Sequence, residues 1–63
     1  MEKDKEKYLQ ALRENKGKVD ERTLGESIGF SKEHTDKVIE ALLADEKIEY
    51  RMAQGACNYK IKE

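Results

Sequence analysis

Residues Leu24 to Ile48 read LGESIGFSKEHTDKVIEALLADEKI, and the way this stretch divides decides the fold. Leu24 and Ile28 are four apart, so a helix from Glu21 to Ile28 puts both on one face. Gly29 and Phe30 make the turn that follows, since glycine reaches positive φ without a steric penalty. Ser31 is a suitable N-cap for a longer helix from Lys32 to Ala44. There Thr35, Val38, Ile39 and Leu42 recur at i, i+3, i+4 and i+7, with Leu43 flanking this apolar stripe. Thr35 is the polar member of the stripe, and its hydroxyl is expected to reach a backbone carbonyl. Glu33, Asp36, Lys37 and Glu40 occupy the outward face.

Beyond Asp45, Glu46 and Lys47 the apolar period changes from about 3.6 to 2. Ile48, Tyr50 and Met52 alternate with Glu49 and Arg51, and Cys57, Tyr59 and Ile61 alternate with Asn58, Lys60 and Lys62. The Gly-containing loop Ala53-Gln54-Gly55-Ala56 between them predicts a β-hairpin. An isolated hairpin is only marginally stable in water. This one is therefore expected to lie on the helices with Ile48, Tyr50, Tyr59 and Ile61 facing in. Toward the N-terminus, Glu2 to Asn15 reads as a first helix, with Tyr8, Leu9 and Leu12 on one side and Ala11 beside them. Asp4 is its expected N-cap, with residues 1–4 frayed, and Gly17 its C′ residue. Lys18-Val19-Asp20 suits a brief extended segment with Val19 inward, and Asp20 caps the next helix.

The chain has 63 residues, which bounds it to a single domain, 1–63, with a small core. An enclosed pocket of enzymatic size does not fit such a core. Charged residues make up 43% of the chain, but both signs are mixed to a net −1 and the apolar positions are periodic, which favours a folded domain. No apolar run approaches the ~20 residues needed to cross a bilayer. The opening MEKDKEKY lacks the apolar core of a signal peptide, so a cytoplasmic location is expected, without membrane partners. One cysteine, Cys57, allows no internal disulfide, and with the single His34 it falls short of a structural zinc set. No catalytic constellation, phosphate loop or cofactor motif is present, so neither an enzyme nor a cofactor is expected. The three tyrosines read as core aromatics with wet hydroxyls, and Cys57 as a small core or hairpin residue.

The order helix, short extended segment, helix, helix, hairpin resembles the winged helix-turn-helix family. Leu24, Gly25, Ile28, Gly29, Phe30, Val38 and Ile39 carry the resemblance, with Gly25 allowing close helix approach. Thr35 departs from the aliphatic residue usual at its position. The fold class implied is α+β, three helices with a C-terminal β-hairpin wing. The C-terminal half, ALLADEKIEYRMAQGACNYKIK, also resembles the family of dissimilatory sulfite reductase D, through Ala41-Leu42, Asp45-Glu46, Glu49-Tyr50, Gly55, Tyr59 and Lys62. That family is a compact, free-standing winged helix.

The winged-helix resemblance implies duplex DNA as a partner, with the third helix in the major groove and the wing on backbone or minor groove. The residues it puts forward are Lys32, Glu33, His34, Asp36, Lys37 and Glu40 on the helix, and Arg51, Gln54, Asn58 and Lys60 on the wing. Charge pulls the other way. Residues 1–18 hold six basic and four acidic residues, 19–47 four and eight, and 48–63 three and two. The segment that should enter the groove is thus the most acidic, and carboxylates there repel phosphate. A homodimer would sum the available cations on a two-fold operator. The rival expectation is a protein partner for the acidic helix face, and the sulfite reductase D resemblance implies regulation of an enzyme complex.

Overall fold

A computed structural model describes residues 1–51 and 55–62. It contains α1 (Glu2–Asn15), α2 (Glu21–Ser27), α3 (Lys32–Ala44), β1 (Ile48–Tyr50) and β2 (Tyr59–Ile61). The strands pair antiparallel with Ile48 opposite Ile61, Glu49 opposite Lys60 and Tyr50 opposite Tyr59. Backbone bonds from Arg51 N–H to the Asn58 carbonyl (2.7 Å) and from Lys62 N–H to the Lys47 carbonyl (2.9 Å) extend the ladder at both ends. The arrangement is the expected α+β one, a three-helix winged helix-turn-helix with a hairpin wing.

The caps explain the helix boundaries. Asp20 stands in extended conformation before α2, and its carboxylate accepts from the N–H groups of Arg22 and Thr23. Those bonds hold its pKa below the ordinary aspartate value, with the Thr23 side-chain bond the largest cause. The Ser31 hydroxyl accepts from His34 N–H at 3.1 Å and starts α3. Helix α2 ends at Ser27, one residue short of the expected Ile28, because the Ile28 and Phe30 N–H groups both turn back to the Gly25 carbonyl. Asp4 does not cap α1. The helix already begins at Glu2, and Asp4 sits inside its first turn, where its side chain is drawn to His34 of α3.

The core is one cluster of Tyr8, Leu12, Leu24, Phe30, Val38, Ile39, Leu42, Ile48 and Cys57. Tyr8 is fully buried and its hydroxyl donates to the Glu21 carbonyl at 2.9 Å, so this hydroxyl is dry where a wet one was expected. Helices α2 and α3 meet at Gly25, where an added Cβ would run into the Thr35 side chain. The Thr35 hydroxyl fills that contact and has no hydrogen-bond partner, contrary to the expected bond to a carbonyl. Helix α1 lies across α3: Asp4 reaches His34 near one end, while Lys5 pairs with Asp45 just past the other.

The segment between α1 and α2 is a turn pinned from both sides. Asn15, itself buried, holds Val19 through both ends of its amide, accepting from the Val19 N–H at 3.1 Å and donating to its carbonyl at 2.9 Å. On the other side, Ala56 N–H donates to the Gly17 carbonyl at 3.0 Å and ties the segment to the wing. Gly55 makes this approach with φ 126°, and a Cβ there would lie 2.7 Å from the Gly17 oxygen. The strands are shorter than the alternating runs suggest. Met52 and Gln54, expected in the wing, lie outside the described residues.

Tyr50 departs most from expectation. It shares a strand face with Ile48, which is buried, yet Tyr50 is 55% exposed. Ile48 is part of the core cluster, whereas the Tyr50 ring packs against Tyr59. The two rings meet edge to face, 5.5 Å between centroids.

Candidate binding surfaces

The residues expected to form one binding face fall into three places. Lys32, Glu33 and Lys37 are exposed on α3, as the helical phase predicts. His34 is turned toward α1, half-buried, with Nε2 2.7 Å from Asp4 Oδ2 and its ring edge-on to Phe30. It links two helices and is withdrawn from the outer face of α3. Asn58 is likewise engaged within the fold: its N–H donates to Glu21 Oε1 at 3.3 Å and its carbonyl accepts from Arg51. The remaining described candidates divide between two grooves of opposite charge.

The first groove, about 330 Å³, lies between the C-terminal end of α1 and the wing. Its cations are Arg13 and Lys16 from α1 and Arg51 and Lys60 from the wing, over a floor that includes Leu12, Cys57 and Ile61. Among the described residues no carboxylate lines it. Arg13 lies in the last turn of α1, and Lys16 is the C-cap of that helix in left-handed conformation, φ 51°. Arg51 and Lys60 meet through the hairpin register, which puts odd-numbered Glu49 and Arg51 on the same side as Lys60. Arg51 Nε donates to Glu49 Oε1 at 2.9 Å, an exposed pair that orients the guanidinium and leaves its other nitrogens open. Burial pushes the Cys57 thiol above its ordinary pKa, and its S–H is directed at the Tyr59 carbonyl, so the sulfur is a neutral floor atom at physiological pH.

The second groove, about 250 Å³, is bounded by the start of α2, one side of α3 and the wing. Among the described residues Glu21, Asp36 and Glu40 line it with a single cation, Arg22. Ile39, Leu43 and the Tyr59 ring supply its apolar wall. Among the described residues neither Asp36 nor Glu40 makes an ion pair. Burial first, and then the nearby Glu21, Tyr50 and Asp36, raise the Tyr59 phenol above its ordinary pKa.

Sequence reasoning put forward Asp36, Glu40, Arg51 and Lys60 and passed over Arg13, Lys16, Glu21, Arg22, Leu43 and Tyr50. Arg13 and Lys16 were hidden in a Lys/Glu-rich helix that reads as a solvated face. Their place at the end of the helix, just before Gly17, was the available signal. Tyr50 was passed over because strand phase reports which side a residue faces and nothing about what lies on that side. Comparison of the chain with protein-family models, with curated proteins and with solved structures gives no match. The functional reading therefore rests on these surfaces themselves.

Proposed function

We propose that this chain is a nucleic-acid-binding winged helix that grips the phosphate backbone with the wing and the end of α1, and does not rely on its third helix. The supporting observation is the carboxylate-free groove edged by Arg13, Lys16, Arg51 and Lys60. Four cations gathered around one concave surface attract a phosphate backbone, and each phosphate neutralised releases counterions. The outer face of α3 offers Lys32 and Lys37 beside Glu33, Asp36 and Glu40. A carboxylate can accept from cytosine N4, but beside a phosphate it is repelled. Contacts of this kind position the protein and carry little sequence information, so binding is weakly selective.

The test is fluorescence anisotropy of a labelled duplex DNA titrated with the protein across a series of salt concentrations. Four phosphate contacts correspond to a slope of log Kobs against log salt of about −3 to −4. Arg51→Gln with Lys60→Gln should flatten that slope by about two. Lys32→Gln with Lys37→Gln should leave it unchanged. An absence of association even at low salt overturns the reading. So does a loss of binding in the α3 variant alone, which would return the interface to the third helix.

A further inference from the structure

The acidic groove on the other side of the wing has no part in backbone binding, and its composition is specific. We propose that it docks a cationic segment of a partner protein, an extended or helical peptide presenting Arg or Lys next to a Leu-like side chain. The inference stands apart from nucleic-acid binding, because the two grooves share only Tyr59 among their lining residues.

Three features select this occupant. Charge is the first: Glu21, Asp36 and Glu40 converge from two helices against Arg22 alone, and Asp36 and Glu40 make no ion pair among the described residues. The second is the aromatic wall. Tyr59 lines the groove, and the Tyr50 ring, 55% exposed, packs edge-on against it. An aromatic face beside carboxylates suits an Arg or Lys side chain, whose charge is attracted by both. The third is apolar exposure. The exposed large hydrophobic residues of the described chain are Met1, Leu43 and Tyr50. Leu43 lines this groove, which is where an apolar anchor would be desolvated on binding.

The same features turn other occupants away. Phosphates would meet three carboxylates at close range. A second copy of the chain carries complementary charge around its basic groove, but that surface is also concave, and two hollows do not fill each other. A projecting peptide does. The walls are α2, α3 and the paired wing, so the site is formed before the partner arrives, which limits the ordering cost of binding.

The test uses the full chain, isotopically labelled, and three synthetic peptides of equal length: Arg/Leu, Glu/Leu and Arg/Ser. The Arg/Leu peptide should shift the amide resonances of Arg22, Ile39, Glu40, Leu43 and Tyr59, and the Glu/Leu peptide should leave them in place. Arg/Ser should bind about tenfold more weakly, as should the Leu43→Ser variant with Arg/Leu. Asp36→Asn with Glu40→Gln should weaken Arg/Leu by about tenfold or more. The substituted residues Asp36, Glu40 and Leu43 are exposed, and far-UV circular dichroism verifies that the variants fold. Shifts spread evenly over the acidic residues of α1 and α2 would overturn the proposal, since they mark diffuse attraction. Equal affinity for Arg/Leu and Arg/Ser would overturn the anchor. Self-association in sedimentation that disappears in the Asp36→Asn, Glu40→Gln variant would give the groove to a second copy and overturn it as well.

Discussion

At the scale of single residues, the contact between Gly25 and Thr35 is the tightest statement the fold makes. Glycine is required on α2 because the Thr35 side chain occupies the space a Cβ would need. Thr35 is fully buried with its hydroxyl unpaired, and such a group carries a desolvation penalty with no bond to offset it. Valine has nearly the same shape without the hydroxyl. Thr35→Val should therefore stabilise the protein by about 1 kcal/mol, read as a higher urea midpoint at unchanged m-value. A lower midpoint would mean that the hydroxyl finds a partner in solution. The position in the helical stripe was legible in the sequence. The hydroxyl's missing partner was not, because it depends on how closely α2 approaches.

At the scale of elements, the wing owes its placement to backbone bonds outside its own ladder. Asn15 holds the turn after α1 closed through Val19, and Ala56 N–H bonds to Gly17 across a gap that only Gly55 leaves open. Gly55→Ala places a Cβ against the Gly17 oxygen and forces alanine into φ 126°. A loss of about 1–3 kcal/mol is expected. It should appear in hydrogen exchange as faster exchange at Ala56 and the strand amides, with the amides in the middle of α3 slowed no less than before. If all amides accelerate together, the wing and the helices unfold as one unit. The helix limits and both side-chain caps were readable from Asp20, Ser31 and the apolar spacing. Tyr50 was misplaced because alternation describes the side a strand residue faces and nothing about what lies on that side.

For the whole molecule, opposite charges are sorted onto the two sides of the wing while the net charge stays at −1. Net charge is thus a poor guide to what the surface attracts. The interior sets a different dependence on pH. Burial raises the pKa of Tyr8 and Cys57, and also that of the half-buried Tyr59. Each is an acid whose neutral form the folded state favours, so above its ordinary pKa the folded state holds more protons than the unfolded one. Stability is then complete below the ordinary values and falls as pH rises past about 8.5 for the thiol and about 10 for the phenols. Urea midpoints measured from neutral pH to about pH 11 should decline along this course. Tyr8→Phe should lower the midpoint at neutral pH, since the bond to the Glu21 carbonyl is lost at a cost of about 1 kcal/mol. It should also decline less steeply above about pH 10. An equal decline in both proteins would show that Tyr8 does not report on folding.

Local chemistry was sufficient for much of this protein. The spacing of Thr35, Val38, Ile39 and Leu42, the capping residues, the glycine turn and the change of period after Lys47 determine three helices and a hairpin, because each acts within a few residues of chain. Which charges would stand together was decided only in three dimensions. Arg13 and Lys16 join Arg51 and Lys60 because α1 runs beside β2, and Glu21 joins Asp36 and Glu40 because the wing closes against α2 and α3. A binding surface here is a sum over distant segments, and only the packing of the helices and the wing carries out that sum.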